Sequence, residues 1–274
     1  MTDIEAWPTH DDALHVFAAR GAPPLPDTAE AGWAEHEGAR IRYTVYGAGR
    51  PVVLLHGGLG HGGNWGYQVP ALVDAGHRVI VVDSRGHGRS TRDARPYSYE
   101  LMAGDVLAVM DATGVARAAL VGWSDGACTA LILAHRAPAR AAGVFFFACN
   151  MDPSGTKPFQ STPVIDRCFA RHGSDYAALS DTPDAFEPFV AAVGAMQRTQ
   201  PNYAPDDLAE IDVPVAIVHA EHDEFIERAH AEHLARSIRG ATLVVLPDVS
   251  HFAPLQRPAR FTAALDAFLA TLPS

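Results

Sequence analysis

No part of this sequence reaches the roughly 18 consecutive apolar residues that a membrane-crossing helix needs, so no helical span is expected. The first twelve positions carry Asp3, Glu5, Asp11 and Asp12. They lack the basic start and apolar stretch of a secretion signal, and a cytoplasmic location is expected. Cysteine is scarce: the 3 residues are Cys128, Cys149 and Cys168. An odd number without a secretion signal fits reduced thiols in a cytoplasm, and none has a CxxC partner. Cys128 and Cys149 lie in apolar stretches and read as small core residues. Positive charge is also short, with 21 Lys and Arg against 32 Asp and Glu, for a formal net charge of -11. A phosphate-binding surface needs the opposite balance, so neither nucleic acid nor a membrane is an expected partner. There is no internal repeat and no Pro- or Gly/Ser-rich stretch long enough to link two domains.

What is present is apolar residues, at 48% of 274, ample for one large core. Continuous apolar runs occur at residues 51–55 (PVVLL), 78–82 (RVIVV), 118–121 (AALV), 144–148 (VFFFA), 213–218 (VPVAIV) and 242–246 (TLVVL). Strands buried on both faces read this way, whereas half-exposed strands alternate. Helix-period segments separate them at about 65–75, 99–113, 125–135, 227–238 and 258–271. Strands alternating with helices predict a mostly parallel α/β sheet flanked by helices. A hairpin is expected from 33–37 and 40–46, turning at Gly38. The interval 151–205 breaks the alternation. It offers helical pieces at 164–171 and 186–196 among dense prolines, and reads as a small helical cap inserted after the sixth strand. The expected division is an N-terminal extension over 1–31, a core over 32–150 and 206–274, and the cap over 151–205. The extension holds a short helix, 11–20, and a loop broken by Pro23, Pro24 and Pro26.

The strongest motif is Gly122-Trp123-Ser124-Asp125-Gly126. It matches G-x-S-x-G and stands between an apolar strand and an apolar helix. A sharp strand-to-helix turn strains the serine backbone, and glycines two residues away on each side allow strand and helix to approach. The hydroxyl needs a base to take its proton. Among 14 histidines, His251 follows the last strand and precedes the last helix, which returns it to the edge where Ser124 stands. His56 and His87 lie in glycine-rich turns and read as loop hydrogen-bonding residues. His135, His230 and His233 lie on helices and read as solvated.

The imidazole needs an acid to fix its tautomer. Asp223, after the 213–218 strand, is favoured over Asp152, one strand earlier. Ser, Asp, His is then the chain order. Two backbone N–H groups must hold the oxyanion. One is assigned to Asp125 and the other to Gly58, with Leu59 as the next choice. The Asp125 side chain has two readings: a favourable charge in a helix's first turn, or an anchor for a substrate ammonium group. Leu59, Trp65, Trp123, Met151, Phe186 and Phe189 are expected around an apolar pocket.

Taken together, LLHGG, DSRGHGRS (83–90), GWSDG, Asp223 and His251 resemble the α/β-hydrolase superfamily, in particular its compact esterase, haloperoxidase-like and biphenyl-hydrolase-like branches. The likeness covers about residues 33–272 and is specific for fold and nucleophile rather than for substrate. It implies an α/β-hydrolase fold and a serine hydrolase that cleaves a small carboxylic ester without a cofactor. GWSDG looks similar to hydrolases of amino-acid esters. An amide or carbon–carbon bond hydrolase, or a non-catalytic ligand receptor, are the alternatives. His219-x-x-His222-Asp223 carries ligand-type residues, but it falls where the acid is expected, and no metal is assigned.

Overall fold

The computed structural model describes residues 14–27 and 30–273. Its centre is an eight-stranded sheet in the order β1-β2-β4-β3-β5-β6-β7-β8. β1 (Glu30–His36) and β2 (Ala39–Tyr46) form the expected hairpin. Glu37 and Gly38 both have positive φ, 40 and 80, the backbone that a two-residue turn needs to match strand twist. β2 pairs antiparallel with β4 (His77–Val82). From there the sheet is parallel through β3 (Arg50–Leu55), β5 (Ala118–Trp123), β6 (Ala141–Phe147), β7 (Val215–His222) and β8 (Thr242–Ser250). The mostly parallel α/β sheet read from the apolar runs, and the α/β-hydrolase fold that the resemblance implies, are the ones observed.

Alternation along the strands supplies two cores, one on each face. Val53, Leu55, Leu120, Val144 and Phe146 face one cluster. Val52, Leu54, Val121, Phe145 and Phe147 face the other. Helices α3 (Tyr99–Ala112) and α4 (Asp125–Arg136), with α8 (Arg228–Ser237), cover the first. Helices α2 (Gln68–Asp74) and α10 (Pro258–Thr271) cover the second. All three cysteines are buried. No helix of the described residues is long and apolar enough to cross a membrane.

Between β6 and β7 lie α5 (Pro163–Leu179), α6 (Phe186–Thr199) and α7 (Pro205–Ala209), with no strand among them. The sequence pieces at 164–171 and 186–196 underestimate α5 and α6, and α7 was not foreseen. Of the expected helix 11–20, residues 11–13 lie outside the described residues. The remainder is α1 (Leu14–Arg20), whose Leu14 and Phe17 are buried. Phe17 packs on His172 of α5 with ring centroids 5.5 Å apart.

Strand register brings the site together. Leu55 lies beside Val82 and Gly122, Trp123 beside Phe147, and Phe147 beside Val218. The loops that follow these strands therefore leave the sheet along a common edge. His222 pairs with Ser250, so the next residue of each chain segment, Asp223 and His251, emerges side by side.

Candidate active site

Ser124 caps α4 with φ 54 and ψ -125, a backbone that an L-residue adopts only at a cost of about 1–3 kcal/mol. The flanking glycines explain how the chain reaches it. A Cβ on Gly122 would collide with the backbone of Ala127, and one on Gly126 with the carbonyl of Leu55. Ser124 N donates to Phe147 O at 2.9 Å, tying the turn to β6. The residue is half-buried, while its neighbours Trp123 and Asp125 are buried.

His251 Nδ1 lies 3.1 and 3.2 Å from the two carboxylate oxygens of Asp223. Asp223 Oδ1 also accepts from the backbone N–H of Phe225 and Ile226, both at 2.9 Å. Burial works to raise the Asp223 pKa, but the imidazole charge and these hydrogen bonds lower it overall. For His251, burial works to lower the pKa. The Asp223 charge and hydrogen bond, followed by Glu224 and Asp125, raise it overall. The pair is thus built to hold an imidazolium. Trp123 Nε1 donates to His251 O at 2.8 Å, linking the residue before the serine to the histidine. Asp152 is placed elsewhere: it caps a short turn by accepting from Ser154 N, and lies 3.6 Å from His230 Nδ1.

The loop after β3 borders the serine. A Cβ on Gly57 would lie 3.3 Å from Ser124 Cβ, and one on Gly58 would lie 2.7 Å from Asp125 Oδ2. Leu59 has φ 62 and packs against the first core cluster. Asp125 is the first residue of α4, where backbone N–H groups have no partner within the helix.

Its carboxylate is held by side chains from two other helices. Tyr99 Oη donates to Oδ1 at 2.9 Å, and Gln197 Nε2 of α6 contacts Oδ1 and Oδ2 at 3.1 and 3.0 Å. Burial raises its pKa against these hydrogen bonds. Asp125 therefore joins the turn at Ser124 to α3 and α6.

The expected pocket residues divide. Trp65 and Met151 are fully buried, at 0% exposure, and belong to the cores rather than to an open wall. Trp65 packs on Trp123 and Phe261; Met151 N donates to His230 Nε2 at 3.0 Å. Trp123 is a core residue backing His251, with rings 6.3 Å apart. Phe189 of α6 is buried against His87 at 4.7 Å, and Phe186 packs beside it. The solvated reading of His230 is corrected by the same bond to Met151, which buries it.

The turn histidines behave as expected. His56 Nε2 accepts from Ser84 N at 3.0 Å, and burial lowers its pKa to about 4. His87 Nδ1 bonds Arg85 O at 2.9 Å, and burial lowers its pKa to about 3. In DSRGHGRS the Asp83 carboxylate accepts from Gly62 N and Arg89 N at 2.7 and 2.9 Å, a structural role.

Glu224 was missed by the sequence reading, because an acid beside an acid has no pattern of its own. Its Oε2 accepts from His251 N at 2.9 Å. Burial pushes its pKa up to about 7 against that hydrogen bond. Among the described residues, Glu221, His222 and Asp248 place ligand-type atoms within 4.8 Å of one another. They are bound among themselves and to Arg260 at the surface.

A family model described as the alpha/beta hydrolase fold matches residues 50–165. The chain is 30% identical over 290 residues to the dihydrolipoyllysine-residue acetyltransferase component of the acetoin cleaving system of Cupriavidus necator, covering 94% of this chain and 76% of the relative. It is 26% identical over 249 residues to the mouse serine hydrolase BPHL, covering 85% and 84%. The solved structure described as "Est816 as an N-Acyl homoserine lactone degrading enzyme" superposes with a TM-score of 0.67 at 30% identity, covering 86% of this chain and 99% of that one. The chain belongs to the α/β-hydrolase fold family and is a hydrolase of that fold.

Proposed function

We propose that this protein cleaves a small carboxylic ester through an acyl-enzyme formed on Ser124. Ser124 Oγ attacks the carbonyl carbon while His251 takes its proton, and Asp223 holds the ring and balances its charge. The backbone N–H groups of Asp125 and Gly58 receive the oxyanion. His251 then protonates the departing alcohol, and a water deprotonated by His251 releases the acid. No cofactor enters. The observation that carries this reading is a strained serine, φ 54, at the sheet edge where strand register sets His251 against a buried carboxylate at 3.1 Å. The name of the mouse relative, a serine hydrolase, agrees with it.

The test is fluorophosphonate labelling followed by a panel of esters, aminoacyl anilides and ring-cleavage diketones. We expect one labelled residue, Ser124, loss of label in Ser124→Ala with the fold intact, and turnover of the esters. Labelling at another serine overturns the nucleophile. Turnover of only the anilides or only the diketones moves the reading to amide or carbon–carbon bond hydrolysis.

A second reading concerns substrate charge. The side-chain partners of the buried Asp125 carboxylate, Tyr99 and Gln197, are both neutral donors. An ester with a free amino group near the scissile bond would supply a cation there, for a gain of about 1 kcal/mol, or several-fold in specificity.

A further inference from the structure

Three phenylalanines outside the expected pocket lead from solvent to the catalytic imidazole. Phe159, in the segment before α5, is 60% exposed, the most exposed of the large hydrophobic side chains described. Its ring lies 6.2 Å from Phe169 of α5 and 6.2 Å from Phe225, while Phe169 and Phe225 are 6.4 Å apart. The three planes agree within 8–16°. Phe225 in turn meets His251 edge to face, with centroids 4.7 Å apart and planes at 75°.

Backbone contacts fix this patch to the acid loop. Lys157 N donates to Phe225 O at 2.7 Å, and Glu227 N to Gly155 O at 2.9 Å. Thr156 and Ile226 form an antiparallel bridge, and Lys157 Nζ donates to Asp223 O at 2.6 Å. The rings therefore keep their place relative to Asp223 and His251.

We infer that Phe159, Phe169 and Phe225 form the subsite for the leaving alcohol, and that the preferred alcohol is aromatic. This rests on the ester reading above. In acyl transfer the two halves of the substrate part at different residues. The acyl carbon stays on Ser124, whose surroundings are Gly57, Asp125 and, through Asp125, Gln197. The leaving oxygen must take its proton from His251, within about 2.6–3.2 Å of the imidazole. The substituent on that oxygen then starts close to the ring that touches the imidazole, and that ring is Phe225. The other aromatic neighbours of His251, Trp123 and Phe252, are both buried at 3% exposure, which leaves the Phe225–Phe169–Phe159 side for a bulky group. Aligned rings favour a flat π-system over an alkyl chain of equal size, because offset stacking adds to area burial.

The experiment compares kcat/KM for benzyl acetate and pentyl acetate, whose alcohols leave with similar ease, in wild type, Phe159→Ala and Phe169→Leu. Ethyl acetate and ethyl hexanoate provide the acyl-side comparison. We expect wild type to prefer the benzyl ester, and each variant to lower the benzyl-to-pentyl ratio about three- to tenfold. The acetate-to-hexanoate ratio should not move with it. The exposure of Phe159 makes its truncation compatible with folding, and Phe169→Leu keeps an apolar side chain on α5. Folded variants whose benzyl-to-pentyl ratio equals wild type overturn the inference, as does a change confined to the acyl-side ratio. Wild type that turns over none of the four esters overturns the ester reading and this subsite together. Turnover with an unchanged alcohol ratio removes the subsite alone.

Discussion

Gln197 of α6 touches both oxygens of the Asp125 carboxylate, at 3.1 and 3.0 Å, so Gln197→Leu removes an entire donor group from a buried acceptor while roughly keeping its volume. Hydrogen bonds to charged groups contribute about 1.5–3 kcal/mol each. Tyr99 still donates at 2.9 Å, so the carboxylate is depleted rather than abandoned. Burial already raises the Asp125 pKa, and in the variant protonation offers a way out that limits the loss. We expect a destabilisation of about 2 kcal/mol at neutral pH. With about 2 cal/mol/K of unfolding entropy per residue, 1 kcal/mol moves the Tm of a chain this long by roughly 2 °C, so Tm should fall by about 4 °C.

The pH dependence has a fixed sign. Asp125 in the folded variant binds its proton more tightly than in the unfolded chain, so stability falls as pH rises through the raised pKa and is recovered in acid. The gap between wild type and Gln197→Leu should thus be narrower at pH 5 than at pH 8. Near-UV circular dichroism melts at the two pH values measure it, and hydrogen exchange should show faster opening of α6. A variant within about 1 °C of wild type at both pH values, with unchanged exchange in α6, refutes the claim that Asp125 holds α6 to the nucleophile turn. A wider gap in acid refutes the electrostatic account while leaving the contact.

The remaining predictions concern the acidic residues around His251 and His230. Asp223→Asn should lower kcat by about four orders of magnitude through the wrong imidazole tautomer, while Asp152→Asn, placed against His230, should do far less; the reverse ranking in steady-state kinetics would move the acid to Asp152. Because the Glu224 charge helps raise the His251 pKa, Glu224→Gln should shift the acid limb of kcat/KM against pH downward. Glutamine keeps an acceptor for His251 N, so an unmoved or upward-shifted limb would show that Glu224 acts through backbone position alone.

Much of the fold was legible because burial on both faces leaves a plain mark. Six apolar runs corresponded to β3–β8, and the helix at 258–271 was read with its observed bounds. The ends were less legible. β7 continues through Glu221 and His222, and β8 through Pro247 and Asp248; charged residues beyond the buried centre of a strand carry no apolar signal. α7 is only five residues long, too short for a 3.6-residue period to show. The turn at Ser124 was legible for a different reason: backbone packing against Ala127 and Leu55 excludes a side chain at both flanking glycines, so geometry writes itself directly into residue type.

Side-chain partnerships across the fold leave no such mark. Tyr99, Asp125 and Gln197 meet from three helices, and neither their spacing nor their types set them apart from surface polar residues. His230 looks solvated on a helix until Met151 N is found against it. Large apolar side chains mislead in the opposite direction. Trp65 and Met151 were expected to line a pocket, but a ring or thioether near a site is more strongly drawn into the adjoining core. The exposed ring that does lead to His251, Phe159, comes from a proline-rich stretch that shows no period. Phe159 and Phe225 lie 66 positions apart in sequence and are brought together where Gly155, Thr156 and Lys157 pair with the loop after β7. The candidate catalytic residues were thus readable from local rules of turn and strand end, whereas the residues inferred to select a substrate depend on contacts between residues 155–157 and the loop after β7, which no local rule encodes. The physical consequence is that substitutions at Phe159 and Phe169 should change which alcohol is accepted while Asp223 and His251 keep their separation, because the backbone bridge at 156 and 226 does not pass through either ring.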